Sequence, residues 1–401
     1  MKSSYFVFGA AGILVLVGAI CFRPARGADV PRIPAADTEV LERLPLGASD
    51  PREREQDRLR RILAVNPNDL RTAVSLARLD VELSRARSDP RFLSYAQAAL
   101  RAFWEMPSPP PEVLVLRATL RQSVHDFDRA LVDLDRVIVL DPDNAQAWIT
   151  RSVVLAVKGR YDEAKASCQP LPKLAPELVF AVCETAIDAV TGSAGPAYDR
   201  LRTVMGRSPG LSPAENEWVV STLGEIAVRL GRDADAERHF RDALTLDPDD
   251  PYVLSVYADL LLDLDRPAEV EKLLHGRTDN DNLLLRLALA EARIRARDAV
   301  AHAELLRDRF DASHLRGDAV HRREEARFIL GLEENPKAAL ALARANWDVQ
   351  REPWDVRVLL DAAFVAKEPK AAAPALEFLE TWHMQDPRIL ALAAKVRSLS
   401  K

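Results

Sequence analysis

The sequence predicts an all-α chain built as a stack of helical hairpins, and three observations carry that expectation. Ala, Leu and Arg are abundant, while Gly numbers 15 and aromatics are 6% of the 401 residues. That composition favours helices over the β-branched, aromatic-rich segments of sheets. From about residue 51 the apolar residues recur at helical spacing, with breaks every 12–18 residues at Pro, Gly or Asp/Asn clusters. Finally, "HDFDRALVDLDRVIVLDPDN" (125–144) and "GRDADAERHFRDALTLDPDD" (231–250) close on nearly the same phrase, with Pro142 and Pro248 106 residues apart.

Taken in chain order, the N-terminus is a separate object. Lys2 precedes an uncharged apolar run from Tyr5 to Phe22, and Arg23 and Arg26 follow it. This run lies between the usual length of a secretory h-region and that of a spanning helix. Residues 1–27 therefore read either as a signal peptide cleaved after Gly27, before Ala28, or as a retained membrane anchor. Both readings export the rest of the chain, with a bacterial periplasm as the expected compartment. Cys21 follows Ile20, where a lipidation site needs a small residue, so lipidation is not expected. Residues 28–50 carry three prolines and no period, and read as a flexible tether.

Residues 51–69 read as a helix ending at Asn66-Pro67, and 69–105 as a hairpin with a long turn around "RARSDPRF". "SPPP" (108–111) is a stiff joint before the most regular stretch. There the prolines set a period: Pro142, Pro176 34 residues on, Pro209 33 further, then Pro248 and Pro251. Helical pairs continue over 280–310, 317–348 and 353–384, with a last helix near 387–398. Pro336 and Pro353 suit first-turn positions. The whole solenoid spans 51–401 and holds roughly nine hairpins, the best repeats lying in 111–284 and diverged ones, with a cap, in 285–401.

A period near 34 can be tested position by position. Unit 217–250 supplies Val220, Leu223-Gly224, Ala236, Phe240, Ala243 and Pro248, with Ala227 small where bulk is expected. Unit 145–178 supplies Trp148, Ser152, Leu155, Ala164, Cys168 and Pro176; unit 111–144 supplies Leu114, Ala118, Ala130, Leu134, Val137 and Pro142. On these residues the chain resembles the tetratricopeptide repeat family, most clearly over 111–176 and 217–260. The resemblance implies a right-handed superhelical solenoid. Small residues let paired helices approach, large ones fill the gaps, Pro stops the second helix, and the Asp or Asn after it caps the next.

The family's first helices line a concave groove. Carried onto this chain, groove-facing positions include Val115, Thr119 and Gln122, then Ile149 and Val153, then Trp218, Ser221 and Glu225, then Tyr252 and Asp259. The groove is expected to be apolar at its N-terminal end and acidic towards the middle. The Lys/Asn set that grips a peptide carboxylate in chaperone-binding members is absent, since Val115 and Thr119 stand in its place. Cys168 and Cys183 fall on adjacent packed helices in this register. Two readings stand: a disulfide in an oxidising compartment, or two small buried thiols.

Catalytic patterns are few. "GRSPG" (206–210) matches Gly-x-Ser-x-Gly, but Pro209 lacks the N–H an oxyanion hole needs and no strand precedes it. His321 and Glu325 in "HRREE" stand four apart, a spacing expected of a solvated pair. No His-Glu-x-x-His, Cys-x-x-Cys or phosphate-loop pattern occurs. No cofactor or metal is expected. A net charge of −6 gives no electrostatic case for nucleic acid. Trp347 and Trp354 read either as core anchors at a hairpin junction or as a ligand-facing pair.

The expected function is an exported, non-catalytic scaffold binding a protein or peptide partner, with membrane contact only through the N-terminal segment. Two alternatives remain: an accessory subunit of envelope polysaccharide synthesis or export, with Trp218 and Tyr252 as groove aromatics, and a hydrolase using Glu225 and Asp259. The sequence leaves the oligomeric state open.

Overall fold

The breaks in the apolar period become turns between helices. The computed structural model describes residues 51–87, 89–317 and 321–399. The leader (1–27), the tether (28–50) and Cys21 lie outside the described residues. Among the described residues no helix is long and apolar enough to cross a membrane.

The N-terminal part holds α1 (Pro51–Val65), α2 (Leu70–Arg87), α3 (Arg91–Ala99) and a single turn, α4 (Arg101–Trp104). The regular repeats follow as α5 (Pro111–Ser123), α6 (Phe127–Leu140), α7 (Ala145–Val157), α8 (Tyr161–Cys168), the turn α9 (Leu171–Leu174), α10 (Glu177–Asp188) and α11 (Ala194–Gly206). Next come α12 (Pro213–Arg229), α13 (Asp233–Leu246), α14 (Pro251–Asp263), α15 (Pro267–Leu274), α16 (Asp281–Ile294) and α17 (Ala299–Arg316). The last part holds α18 (Arg322–Phe328), a π turn over Ile329–Glu333, α19 (Pro336–Trp347), α20 (Pro353–Val365), α21 (Ala373–Thr381) and α22 (Pro387–Ser398). Consecutive helices pair and each pair stacks on the next, giving an all-α solenoid of helical hairpins.

The two phrases that end alike do the same local work. Asn144 accepts a hydrogen bond from the Ala147 N–H at 3.1 Å, and Asp250 accepts one from the Val253 N–H at 2.7 Å. Each therefore satisfies a backbone donor that the first turn of α7 or α14 would leave orphaned. The loop 207–212, containing "RSPGLS", separates the hairpins on either side and ends in a capping box between Ser212 and Glu215. The Ser of "GRSPG" sits in that loop and donates to the Val204 carbonyl.

Within hairpins, the small positions decide how closely helices approach. A Cβ on Gly224 would meet the Phe240 ring at 2.5 Å, so α12 and α13 pack with glycine against a fully buried aromatic. In an earlier unit Ser152 occupies the equivalent place and donates to the Ala164 carbonyl across the hairpin at 2.9 Å. In the first regular unit Ala118, Ala130 and Leu134 are all fully buried. There Arg117 clasps Asp133 through two contacts at 2.9 and 2.7 Å, both residues being buried. Such a bidentate pair fixes geometry as well as charge.

Cys168 and Cys183 are joined in a disulfide that links α8 to α10, with Cα atoms 5.9 Å apart. The 15-residue separation sets the size of the closed loop. Replacing both by Ser is expected to cost about 3 kcal/mol, the loop-closure entropy that the cross-link removes from the unfolded chain. Urea unfolding followed by circular dichroism checks this; a midpoint unchanged from wild type would sink it.

The largest departure from a simple stack is at the C-terminal end. The core of α5–α9 is continuous with the apolar side chains of α16–α22, so the late hairpins fold back onto the early repeats. The Arg351 N–H donates to the Val157 carbonyl at 2.8 Å, and the Tyr161 hydroxyl donates to the Arg351 carbonyl at 3.2 Å. Trp382 lies edge-on to the Tyr161 ring at 5.0 Å. From there the segment runs past the intra-hairpin turns in order. Phe378 covers Gly159, His383 covers Gly192 and Pro387 covers Gly231. At Gly159 φ is +72° and a Cβ would lie 2.8 Å from the Phe378 ring, so both backbone conformation and space demand glycine. Gln385 accepts from the Ala194 N–H, and Arg388 pairs with Asp233 at 2.7 Å.

Two local expectations change. Glu325 pairs with His314 at 3.0 Å rather than with His321. His321 is the N-cap of α18, with φ −103° and ψ 20°. Its carbonyl accepts the Glu325 N–H at 2.9 Å, while the Glu325 carboxylate turns to His314 on α17. The two tryptophans also part company: Trp347 is buried against Phe378, edge-on at 5.3 Å, whereas Trp354 is half-buried on a cavity wall.

Candidate binding face and cavity

The first helices of the hairpins carry every predicted groove residue, but the structure sorts them into three environments. At the N-terminal end Val115 and Ile149 are half-buried and pack on the shared core. Thr119 turns its hydroxyl back to the Val115 carbonyl, and Gln122 is half-buried. A second set stays open: Val153, Trp218 and Tyr252 are 44%, 38% and 54% exposed. Ser221, between them in sequence, is buried and donates to the Trp218 carbonyl.

The third set faces a partly open space, and Tyr252, exposed on one side, belongs to it as well. Glu225, Tyr252 and Asp259 share a cavity of about 360 Å³ with residues from the returning C-terminal segment, among them Arg323, Trp354, Arg357 and Arg388. One wall is thus the concave side of α12, α14 and α16, and the other comes from α18, α20 and α22. Its apolar lining includes Val228, Val256, Leu260 and Ile389. That volume lies within the range of small-molecule and side-chain pockets.

The electrostatics of the cavity are dominated by shared carboxylates. Asp259, buried, meets the Arg286 guanidinium at 2.7 Å and that of Arg327 at 2.6 Å. Burial alone would oppose its ionisation, but the two guanidiniums outweigh that and hold its carboxyl below the usual carboxylate range. Asp263 is clasped by Arg357 through 2.7 and 2.6 Å contacts and approached by Arg388 at 3.3 Å. The Trp354 ring lies between two of these cations, 4.1 Å from Arg327 and 4.5 Å from Arg357. On the far side Arg323 holds Glu324 at 2.9 Å and Glu352 at 2.9 Å. Burial pushes Asp355 up to about 6, with Arg323 working against that shift.

Tyr252 donates its hydroxyl to Glu225 at 2.6 Å and so ties α14 to α12. Both oxygens of Asp259 are engaged by guanidiniums. A carboxylate that two cations hold below the usual range is a weak base, poorly suited to take a proton from a substrate. Among the described residues no group of His, Cys, Asp and Glu is arranged to hold a metal ion.

Sequence reasoning did not find Arg286, Arg323, Arg327, Arg357 and Arg388 as site residues. They lie in segments where the repeat pattern blurs, and no short-range signal marks them. Arg323 lies within "HRREE" and Arg357 three residues after Trp354, but neither was singled out by its own spacing.

No family model matches the chain, and no curated protein matches it. Solved structures do. A thermophilic TPR protein of Thermus thermophilus is 19% identical, with 46% of this chain and 96% of that one covered and a TM-score of 0.38. A tetratricopeptide repeat protein from Parabacteroides merdae is 12% identical over 71% of this chain and 98% of that one, TM-score 0.39. Yeast Tom70 is 11% identical over 87% and 86%, TM-score 0.40. These are likenesses of fold. With the small and large repeat positions filled as the packing of α5–α14 requires, the chain has a tetratricopeptide-repeat-like helical solenoid fold.

Proposed function

We infer that this chain is an exported, non-catalytic scaffold that holds a protein or peptide partner against the first helices of its central repeats. The observation that carries this is that the exposed apolar side chains Val153, Trp218 and Tyr252 all stand on first helices of the hairpins, α7, α12 and α14, at the positions the resemblance assigns to the groove. Trp and Tyr are the residues that most often anchor interfaces, and a concave helical-repeat surface suits an extended or helical segment. The returning C-terminal segment leaves the partner only the part of the concave face that it does not cover. Export is supported by the apolar run 5–22 with its flanking cations and by the Cys168–Cys183 pairing, which suits an oxidising compartment. The mature chain is then either free after cleavage near Gly27 or tethered by residues 5–22.

Affinity capture from membrane and periplasmic fractions, with a chain starting at Ala28 as bait, tests the reading. A partner retained by wild type and lost with Trp218→Ala/Tyr252→Ala is expected. Equal recovery by both, or no partner at all, would count against it. N-terminal sequencing of the protein from its host separates a cleaved leader, starting near Ala28, from an intact Met1.

The same two exposed aromatics favour one second reading, an accessory role in envelope polysaccharide synthesis or export, because flat rings stack on sugar faces. That reading expects binding of purified envelope glycan, again lost in the double variant, and no protein captured.

A further inference from the structure

The open groove face presents two aromatic rings that, among the described residues, have no cation over them: Trp218 on α12 and Tyr252 on α14, both exposed. Trp104, Trp347 and Trp354 differ, each having an arginine over its ring at 5.8, 5.7 and 4.1 Å. The face of an aromatic ring carries partial negative charge and attracts cations.

The charges beside these rings have the sign that suits a cation. Glu217 precedes Trp218 on α12, Asp250 stands two residues before Tyr252, and Asp247 lies on the loop between α13 and α14. Among the described residues none of these three carboxylates is ion-paired, whereas Asp249 in the same loop is held by Arg277 at 2.7 Å. Local structure accounts for Asp250, which caps α14, and for Asp247, which accepts the Asp249 N–H at 3.1 Å. It does not account for Glu217. The N-terminus of α12 is already capped by Ser212 with Glu215, and Glu217 stands past the first turn, where a carboxylate gains little from the helix dipole. Glu217 is half-buried. Burial, with Asp250 and Asp247 as like charges, pushes its carboxyl up to about 7. A cation arriving here adds an attractive charge where the chain supplies repulsive ones.

We propose that the segment received by this face is basic, with a lysine or arginine of the partner lying against Trp218 and Tyr252 and its charge directed to Glu217, Asp247 and Asp250. The inference rests on the scaffold reading above and names the chemistry of its partner. The rings supply the apolar contact, while charge of this sign steers encounter and selects among partners.

The test follows fluorescence anisotropy of labelled peptides titrated with the full chain. Three peptides share one Ala/Leu/Tyr frame and carry lysine, glutamine or glutamate at their polar positions. The lysine peptide is expected to bind saturably and more weakly as salt rises, the glutamine peptide to bind less well, and the glutamate peptide not at all. Trp218→Ala/Tyr252→Ala should abolish lysine-peptide binding. Glu217→Gln/Asp247→Asn should weaken it about fivefold or more and flatten its salt dependence. Glu304→Gln/Asp308→Asn removes two exposed acids of α17 and should bind as wild type, which separates the site from attraction to the net charge of −6. Circular dichroism on each variant confirms that it is folded. Equal binding of all three peptides, or preference for glutamate, with loss in the aromatic double variant, overturns the basic partner and leaves the groove reading standing. Lysine-peptide binding that survives either the aromatic or the Glu217/Asp247 double variant, or that falls equally in the α17 variant, overturns the site. No saturable binding of any peptide overturns the inference and counts against the groove reading as well.

Discussion

Replacing Asp259 by Ala is expected to cost about 3–5 kcal/mol of stability, because it removes the shared partner of two buried guanidiniums. Asp259 is 4% exposed and Arg286 7%. Arg286 keeps its bonds to the Ser255 and Asn282 carbonyls at 3.1 and 2.9 Å, but those acceptors carry no charge. Arg327 retains only its stacking on Trp354. Hydrogen exchange should rise first in α14, α16 and α18, the three helices that Asp259 joins. Asp259→Asn should cost less, since an amide oxygen can still accept. The pH dependence has a definite sign. The folded-state pKa of Asp259 is depressed, so its contribution is fully present above the unfolded carboxylate pKa and lost as pH falls through the folded value. The gap between wild type and Asp259→Ala should therefore close under strongly acidic conditions. A loss below about 1 kcal/mol at neutral pH, the scale of an exposed pair, would sink the account.

The second large effect is expected from Phe378→Ala, at about 3–5 kcal/mol for truncating a buried aromatic. Phe378 is 8% exposed and meets Tyr161, Trp347 and Trp382 at centroid distances of 5.8, 5.3 and 6.3 Å. It also fills the space over Gly159. Its removal takes away the apolar contact by which the C-terminal hairpins sit on the early repeats. Hydrogen exchange should rise over 373–398 while α5 and α6, held by Arg117–Asp133, stay protected. Near-ultraviolet circular dichroism, which reports on the packing of Trp347 and Trp382, should lose intensity in parallel. Uniform loss of protection along the whole chain would instead show that the returning segment and the repeats unfold together.

The hairpins were legible in the sequence because their signals are local. A Pro stopping a helix, an Asn144 or Asp250 capping the next, and a Gly224 or Ala118 where two helices touch all act over a few tens of residues. Even diverged units kept enough of this for their boundaries to be read, as at Pro336 and Pro353. The pairing of Glu325 with His314 was not legible, because it depends on where α18 begins and how α17 lies beside it. The concave positions were likewise only partly informative. Register alone gave Val153 and Asp259 the same standing, yet one is open to solvent and the other is buried between two arginines.

What the sequence by itself determined is the periodic part: an all-α chain, hairpin lengths, helix caps and the small residues that set helix spacing. The tertiary structure alone decided that the chain returns on itself, so that Phe378, His383 and Pro387 cover the turns at Gly159, Gly192 and Gly231 and part of the concave face becomes a cavity. The physical reason is range. Caps and helix stops are fixed by neighbours along the chain, whereas the return joins residues 190 positions apart, Tyr161 and Arg351. It is stabilised by apolar burial and ion pairs between segments that no short-range pattern connects.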